Sequence, residues 1–142
     1  MPSPATAPVS LAAAGTPRAY TSSLALATLE LLVHADYDLL PDDLMSFALD
    51  IPDDIPVEHV AIGDLPSNWK DYPPPDALQE IGAMWFARRE TAVLAVASAV
   101  ISEENNFLLN PVHPDFTRIR WAEPQPFQFD SRLQPSRATP RP

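Results

Sequence analysis

The sequence contains no cysteine, only three glycines, few basic residues and no long hydrophobic run. Without cysteine there is no disulfide framework, no thiolate zinc site and no thiol nucleophile, and a reducing cytoplasm is the expected compartment. No apolar stretch reaches the roughly 18–20 residues that cross a bilayer. The N-terminal residues also lack the basic and apolar regions of a signal peptide. We therefore expect no association with a membrane.

Basic residues are outnumbered, since nine Lys and Arg stand against nineteen Asp and Glu and the net charge is −10. Such a chain repels a phosphate backbone, which argues against direct nucleic-acid binding. Between Asp36 and Asp76 there are eleven acidic residues and a single base, Lys70. This acidic segment is either a solvated surface or a docking face for a basic partner protein.

Proline is abundant instead, with 18 residues in 142, and it clusters at both ends and at 72–75. Residues 1–14 are rich in Pro, Ala and Ser and have no amphipathic period, and residues 134–142 are similar. We predict a poorly ordered arm and a flexible tail for these two segments. Residues 15–133 remain, a length that suits one domain with its own hydrophobic core.

Hydrophobic periodicity predicts two main helices and about five strands. Apolar residues cover more than one face of residues 21–35, so the first helix should be mostly buried. The second helix begins at Pro75 or Asp76. Strands are predicted over residues 45–51, 91–101, 106–110, 116–121 and 127–129, with a strand or a helical turn over 57–62. Helices and strands in this mixed order indicate an α+β fold with a small mixed sheet.

Three polar residues stand out against this pattern. Glu30 lies in an apolar helix with His34 four residues later on the same side, so it faces water, pairs with an Arg or is held in a cleft. Ser98 interrupts a buried strand and needs a hydrogen bond from the backbone or from a ligand. Tyr20 precedes the first helix at an expected exposed corner, as an ordinary surface residue or as a ring for stacking. The three histidines lack the spacing of a metal site, and His113, between two prolines, is interpreted as structural.

Five motifs within residues 15–133 resemble those of the RES-domain family, and they follow each other in the same order as in the family. The stretches that carry the resemblance are TSSLALATLELLVH (21–34), LPSNW (65–69), IGAMW (81–85), ASAVI (97–101) with Glu104, Asn106 and LNPVHPDF (109–116) after it, and PFQFDSRL (126–133).

This resemblance implies a function. RES proteins are toxins of bacterial type II toxin–antitoxin pairs, their antitoxins carry an Xre-like helix-turn-helix domain, and their fold is similar to that of ADP-ribosyltransferase toxins. NAD+ is implied as a substrate, not a cofactor, cleaved at the nicotinamide–ribose bond by hydrolysis or phosphorolysis; some members modify proteins with ADP-ribose. The resemblance implies Glu30 and Ser98 as catalytic residues, and Tyr20, Ser98 and Asn106 as residues that bind the dinucleotide.

The sequence departs from the family at an Arg that is expected to clamp the pyrophosphate. In the family, this Arg comes shortly before a Gly-x-Pro group, which corresponds to residues 15–17 here. Counting back from that group without gaps places Ser10 at the Arg, and a serine cannot make the planar, bidentate contact. We therefore expect low or absent NAD+ cleavage. The chain is either a truncated or wrongly started toxin, or an inactive RES remnant that binds its Xre-type antitoxin. A plain α+β domain whose motifs are structural is the third alternative. The acceptor of the ADP-ribose and the oligomeric state stay open.

Overall fold

The protein is seen in a computed structural model that describes residues 9–12 and 20–133. Two α-helices pack against a mixed sheet, which confirms the predicted α+β fold. The elements are β1 (Val9–Ala12), β2 (Tyr20–Thr21), α1 (Leu24–His34), β3 (Met45–Asp50), β4 (Val57–Val60), α2 (Asp76–Arg88), β5 (Val93–Ala97), β6 (Asn105–Leu109), β7 (Arg120–Trp121) and β8 (Gln125–Pro126). Neither helix in this part of the chain has the length and apolar character to cross a membrane.

The strands of the sheet follow the order β4-β5-β6-β2-β1-β3-β7, and β8 pairs with β3. The pair β4–β5 is parallel, and the other pairs are antiparallel. Two parallel neighbours need a crossover connection, and here the chain between β4 and β5 contains α2. The order therefore places α2 next to β5 and β6.

One face of the sheet carries the hydrophobic core. Phe107 of β6 lies opposite both Ala95 of β5 and Tyr20 of β2, so these three side chains share that face. The buried residues that cluster there are Tyr20, Leu49, Ile55, Ala92, Val93 and Ile119. Because side chains alternate along a strand, the neighbouring positions Val96 and Asn106 belong to the opposite face.

The N-terminus of α1 is fixed to the turn that connects β5 to β6. The Ser23 hydroxyl accepts a hydrogen bond from the backbone N–H of Leu26 at 3.1 Å, which satisfies one free N–H of the helix end. The same hydroxyl donates to Glu104 Oε1 at 2.9 Å, and the Ser22 hydroxyl donates to that oxygen at 3.3 Å. The helix and the turn therefore hold a common orientation.

Most predicted elements are found, with shifted ends. The first helix is shorter than residues 21–35 because Tyr20 and Thr21 form a strand and Ser23 is the N-cap. The second helix begins at Asp76, as predicted. The predicted strand 91–101 ends at Ala97, because Ser98 begins a turn.

One predicted strand, 116–121, is found only at its end as β7, and another, 127–129, is wrong. Residues 116–121 alternate in polarity, yet Pro114–Arg118 is a 3-10 helix because Pro114 suits its first turn and the His113 ring accepts from the Asp115 N–H at 3.0 Å. His113 is thus structural, as predicted. Residues 127–129 are not a strand, and the pairing lies at Gln125–Pro126 instead.

The predicted arm also needs a correction. Val9–Ala12 is not a loose segment but the strand β1, which pairs with β3 through four residue pairs and contacts β2. Backbone pairing with β3 holds this segment in the sheet, although its sequence has no amphipathic period. The rest of the predicted arm, residues 1–8 and 13–14, and the predicted tail 134–142 lie outside the described residues.

Truncation of the core tests this arrangement. Leu49 is 0% exposed and packs in the core cluster, so Leu49→Ala should lower the free energy of unfolding by about 2–5 kcal/mol. Leu39 is 80% exposed, and Leu39→Ala should change it by less than about 0.5 kcal/mol. Urea unfolding followed by circular dichroism measures both, and equal stability of the two variants would contradict the described core.

Candidate functional site

A cavity of about 510 Å³ lies on the face of the sheet opposite the core. Its base is formed by Leu94 and Val96 of β5 and by Leu108 of β6. The walls come from the C-terminal half of α1, from the α2 face around Gly82, and from residues 65–74, which we call the 65–74 loop. Most of the lining is apolar, which is typical of small-molecule sites that carry a few placed polar groups.

Glu30 is the central polar group of this cavity. Its Oε1 accepts a hydrogen bond from Ser98 Oγ at 2.6 Å and a second from Asn106 Nδ2 at 3.1 Å. Its Oε2 lies 3.2 Å from His34 Nε2. The side chain is 18% exposed, so Glu30 does not point into bulk solvent, and no Arg of residues 20–133 pairs with it. Three site residues predicted from the sequence, Glu30, Ser98 and Asn106, are therefore brought together.

Ser98 uses its whole hydrogen-bonding capacity within the protein. The hydroxyl donates to Glu30 and accepts from the backbone N–H groups of Val100 at 3.1 Å and Ile101 at 3.3 Å. A serine hydroxyl has one donor and two acceptor lone pairs, so no further bond is available. Ser98 is fully buried. Its geometry is that of a residue that positions the Glu30 carboxylate and shapes the turn after β5.

Asn106 has an unused polar atom beside the carboxylate. Its Nδ2 donates to Glu30, while its Oδ1 is buried and has no hydrogen-bond partner within the described residues. A buried acceptor without a partner carries a desolvation penalty of about 1–3 kcal/mol. Asn106 also lines the cavity, which makes it a candidate ligand contact.

Tyr20 is not where the sequence suggested. The ring is 4% exposed rather than at an exposed corner, because pairing with Phe107 places it on the core face of the sheet. It packs edge-on against Trp121 with 5.6 Å between ring centroids. Asn106 and Glu30 lie on the other face, so the structure does not bring Tyr20 to the cavity.

The sequence analysis missed the contribution of the 65–74 loop. Trp69, Lys70, Asp71 and Tyr72 all line the cavity, and Tyr72 contacts the His34 ring at 5.6 Å between centroids. The one feature of the sequence that points to this loop is Lys70, the single base in the acidic segment. The sequence points to His34 only through its spacing from Glu30.

Ser10, where an ungapped count predicts the family Arg, lies in β1 with its backbone opposite Phe47. Residues 13–19, between β1 and β2 in the sequence, lie outside the described residues. In the part of the chain that the structure describes, no group of three His, Asp or Glu residues is placed to hold a metal ion.

Two exposed ion pairs outside the cavity shift the pKa values of their carboxyl groups. A hydrogen bond from the Arg118 guanidinium lowers the pKa of the Asp54 carboxyl. Arg132 lowers the pKa of Asp130 in the same way. Both pairs lie on the surface, where solvent screens them.

The fold and the cavity define an α+β domain with a small-molecule cleft built around one carboxylate. The model of the family described as RES domain matches residues 12–130. A "Toxin Res" of Photorhabdus laumondii is 38% identical over 121 residues, which cover 84% of this chain and 77% of that protein. The "Prs ADP-ribosylating toxin" of a Sphingobium species is 33% identical over 79% of this chain and 71% of its own length. A "Toxin Res" of Yersinia enterocolitica is 35% identical over 80% and 74%, respectively. The chain belongs to the RES-domain family.

Removal of the Ser98 hydroxyl tests its positioning role. Ser98→Ala leaves the two N–H groups of the turn and one Glu30 lone pair without partners, so the free energy of unfolding should fall by about 1–3 kcal/mol. Ser67→Ala, in the exposed part of the 65–74 loop, is the matched control and should leave stability unchanged. Thermal unfolding measures both; a Ser98→Ala protein as stable as the control contradicts the described network.

Proposed function

We propose that this chain is a RES-type toxin domain that degrades NAD+ by cleaving the bond between nicotinamide and ribose. The observation that carries the proposal is the Glu30 carboxylate, held by Ser98 and Asn106 in a mostly apolar cavity. A charged group fixed in such a site acts on a reacting atom more strongly than it would in water. Ser10, at the position of the family Arg, is expected to impair the reaction.

The chemistry suits a single fixed carboxylate. When the C1′–N1 bond breaks, its electron pair leaves with nicotinamide and positive charge develops on the ribose ring. Glu30 stabilises that charge and holds a ribose hydroxyl, while Asn106 Oδ1 accepts from a donor of the substrate. With water as the acceptor, NAD+ and H2O give nicotinamide, ADP-ribose and a proton. Phosphate or a protein side chain replaces water in the phosphorolytic and ADP-ribosylating reactions.

The relatives support this reaction class. The Sphingobium relative is named as an ADP-ribosylating toxin, and transfer of ADP-ribose from NAD+ breaks the same nicotinamide–ribose bond. The cavity volume of about 510 Å³ falls within the range of 300–1,000 Å³ that is usual for small-molecule sites. The apolar base formed by Leu94 and Val96 suits a planar ring such as nicotinamide. With NAD+ as the substrate, we expect the protein to act in the bacterial cytoplasm.

Neutralising the carboxylate tests the role of Glu30. Glu30→Gln keeps the size of the side chain and removes its charge, so the rate of nicotinamide release should fall by about 100-fold. Chromatography of nicotinamide released from NAD+ by the purified chain measures the rate. Glu80→Gln removes the same charge from an exposed position of α2 and should leave the rate unchanged. Equal rates for Glu30→Gln and the unmodified chain, both above the rate measured without protein, would disprove the role of Glu30.

The effect of Ser10 is tested against a relative. We expect slower NAD+ loss from this chain than from the Photorhabdus protein under the same conditions, because Ser10 cannot clamp a diphosphate. Comparable turnover of the two proteins would show that the family Arg position does not limit this chain.

The second candidate function is an inactive RES remnant that binds an Xre-type helix-turn-helix antitoxin. Ser10 favours it, and the acidic segment offers a surface for a basic partner. Co-expression with a helix-turn-helix protein encoded beside the gene, followed by size-exclusion chromatography, tests this alternative. A stable complex together with undiminished cellular NAD+ would favour it over the enzymatic proposal.

A further inference from the structure

Lys70 stands apart from the other basic residues that the structure places in ion pairs. Arg88, Arg118 and Arg132 each have a carboxylate partner within 4 Å. Among the described residues, no carboxylate lies within that distance of the Lys70 ammonium. Its contacts are the neutral Ser102 hydroxyl at 3.4 Å and the Trp69 ring, whose centroid lies 5.2 Å away. The charge of Lys70 is therefore available to an anion.

The position of Lys70 is equally specific. It is the one base among eleven acidic residues between Asp36 and Asp76, yet it lines the same cavity as Glu30. The other charged or titratable groups of the lining are His34, which pairs with Glu30, the carboxylate of Asp71 and the phenol of Tyr72. A dinucleotide with its diphosphate in this cavity meets two carboxylates, so it needs a cation to offset their repulsion.

The same loop presents an exposed aromatic ring. Tyr72 is 77% exposed although it lines the cavity, and the ring contacts His34, the partner of Glu30. An exposed ring of this kind offers a face on which a purine base stacks. A cation and a ring therefore lie within three residues of each other on the 65–74 loop, in the same cavity as Glu30 and the apolar base.

We propose that the 65–74 loop binds the adenosine diphosphate half of the dinucleotide, with the Lys70 ammonium on the diphosphate and the Tyr72 ring on adenine. This inference rests on the proposed function, because it assigns the second half of the same substrate. Lys70 then supplies, from a different element, part of the positive charge that Ser10 cannot provide. The Trp69 ring and Ser102 hold the ammonium at the wall of the cavity before the ligand arrives.

Binding of ADP-ribose, measured by isothermal titration calorimetry, tests Lys70. Lys70→Met should weaken binding by about tenfold at low ionic strength, equivalent to about 1.4 kcal/mol, and Lys70→Arg should retain most of the affinity. The affinity of the unmodified chain should fall as salt is added, and this dependence should decrease in Lys70→Met, because screening acts on a charge–charge contact. Arg132→Met removes the same charge outside the cavity and should bind like the unmodified chain.

The role of Tyr72 in binding adenine is tested separately. Tyr72→Ala should weaken ADP-ribose binding about fivefold to tenfold while leaving its salt dependence unchanged, and Tyr72→Phe should retain binding because a ring remains. Nicotinamide mononucleotide, which has a phosphate but no adenine, should lose affinity with Lys70→Met and not with Tyr72→Ala. Both positions are exposed, and thermal unfolding checks that the variants fold alike.

The failures of the two proposals are distinguishable. If ADP-ribose binds the unmodified chain and binds Lys70→Met within twofold as tightly with the same salt dependence, the inference about the loop is wrong and the role of Glu30 stands. If ADP-ribose does not bind the unmodified chain at millimolar concentration, both the inference and the proposed function fail.

Discussion

Two hydrogen bonds to one carboxylate hold the two halves of the cavity together. Glu30 belongs to α1, whereas Ser98 and Asn106 belong to the turn after β5 and to β6, and the bonds at 2.6 and 3.1 Å join them. His34 occupies the second oxygen from the same helix. Burying a carboxylate is unfavourable unless donors replace the lost water, so the orientation of α1 on the sheet depends on this set of contacts. The Glu104 contacts at the helix N-terminus fix the same orientation a second time.

The two faces of the sheet have different roles, because one carries the hydrophobic core and the other lines the cavity. The core face is dry and packed by residues such as Leu49 and Val93, and it provides the stability of the fold. The opposite face is only partly covered, because α1 and α2 leave the cavity between them. Tyr20 shows the consequence of this division, since a residue adjacent to the site in sequence serves the core because of its register with Phe107.

Local pattern was enough to predict both helices and the strands at 45–51 and 106–110, because each has a hydrophobic period that tertiary structure does not need to correct. It failed where two periods overlap in a short stretch. Ile119 and Trp121 are two apart, as in a strand, whereas Phe116 and Ile119 are three apart, as in a 3-10 turn, and the cap formed by His113 and Pro114 decides for the turn at Pro114–Arg118. The cluster of Glu30 with Ser98 spans 68 positions, so no local pattern reaches it; only the family resemblance paired them. The position of Lys70 in the lining of the cavity is visible only in the folded 65–74 loop.

The alternation along β6 has a consequence for how this sequence can change. Phe107 and Leu109 serve the core, and Asn106 and Leu108 serve the cleft. A single-residue insertion or deletion within the strand would exchange these assignments at every following position and bury an amide where a phenyl ring belongs. Length variation over evolutionary time is therefore expected in the loops around the ladder, while the strand itself diverges by substitution alone.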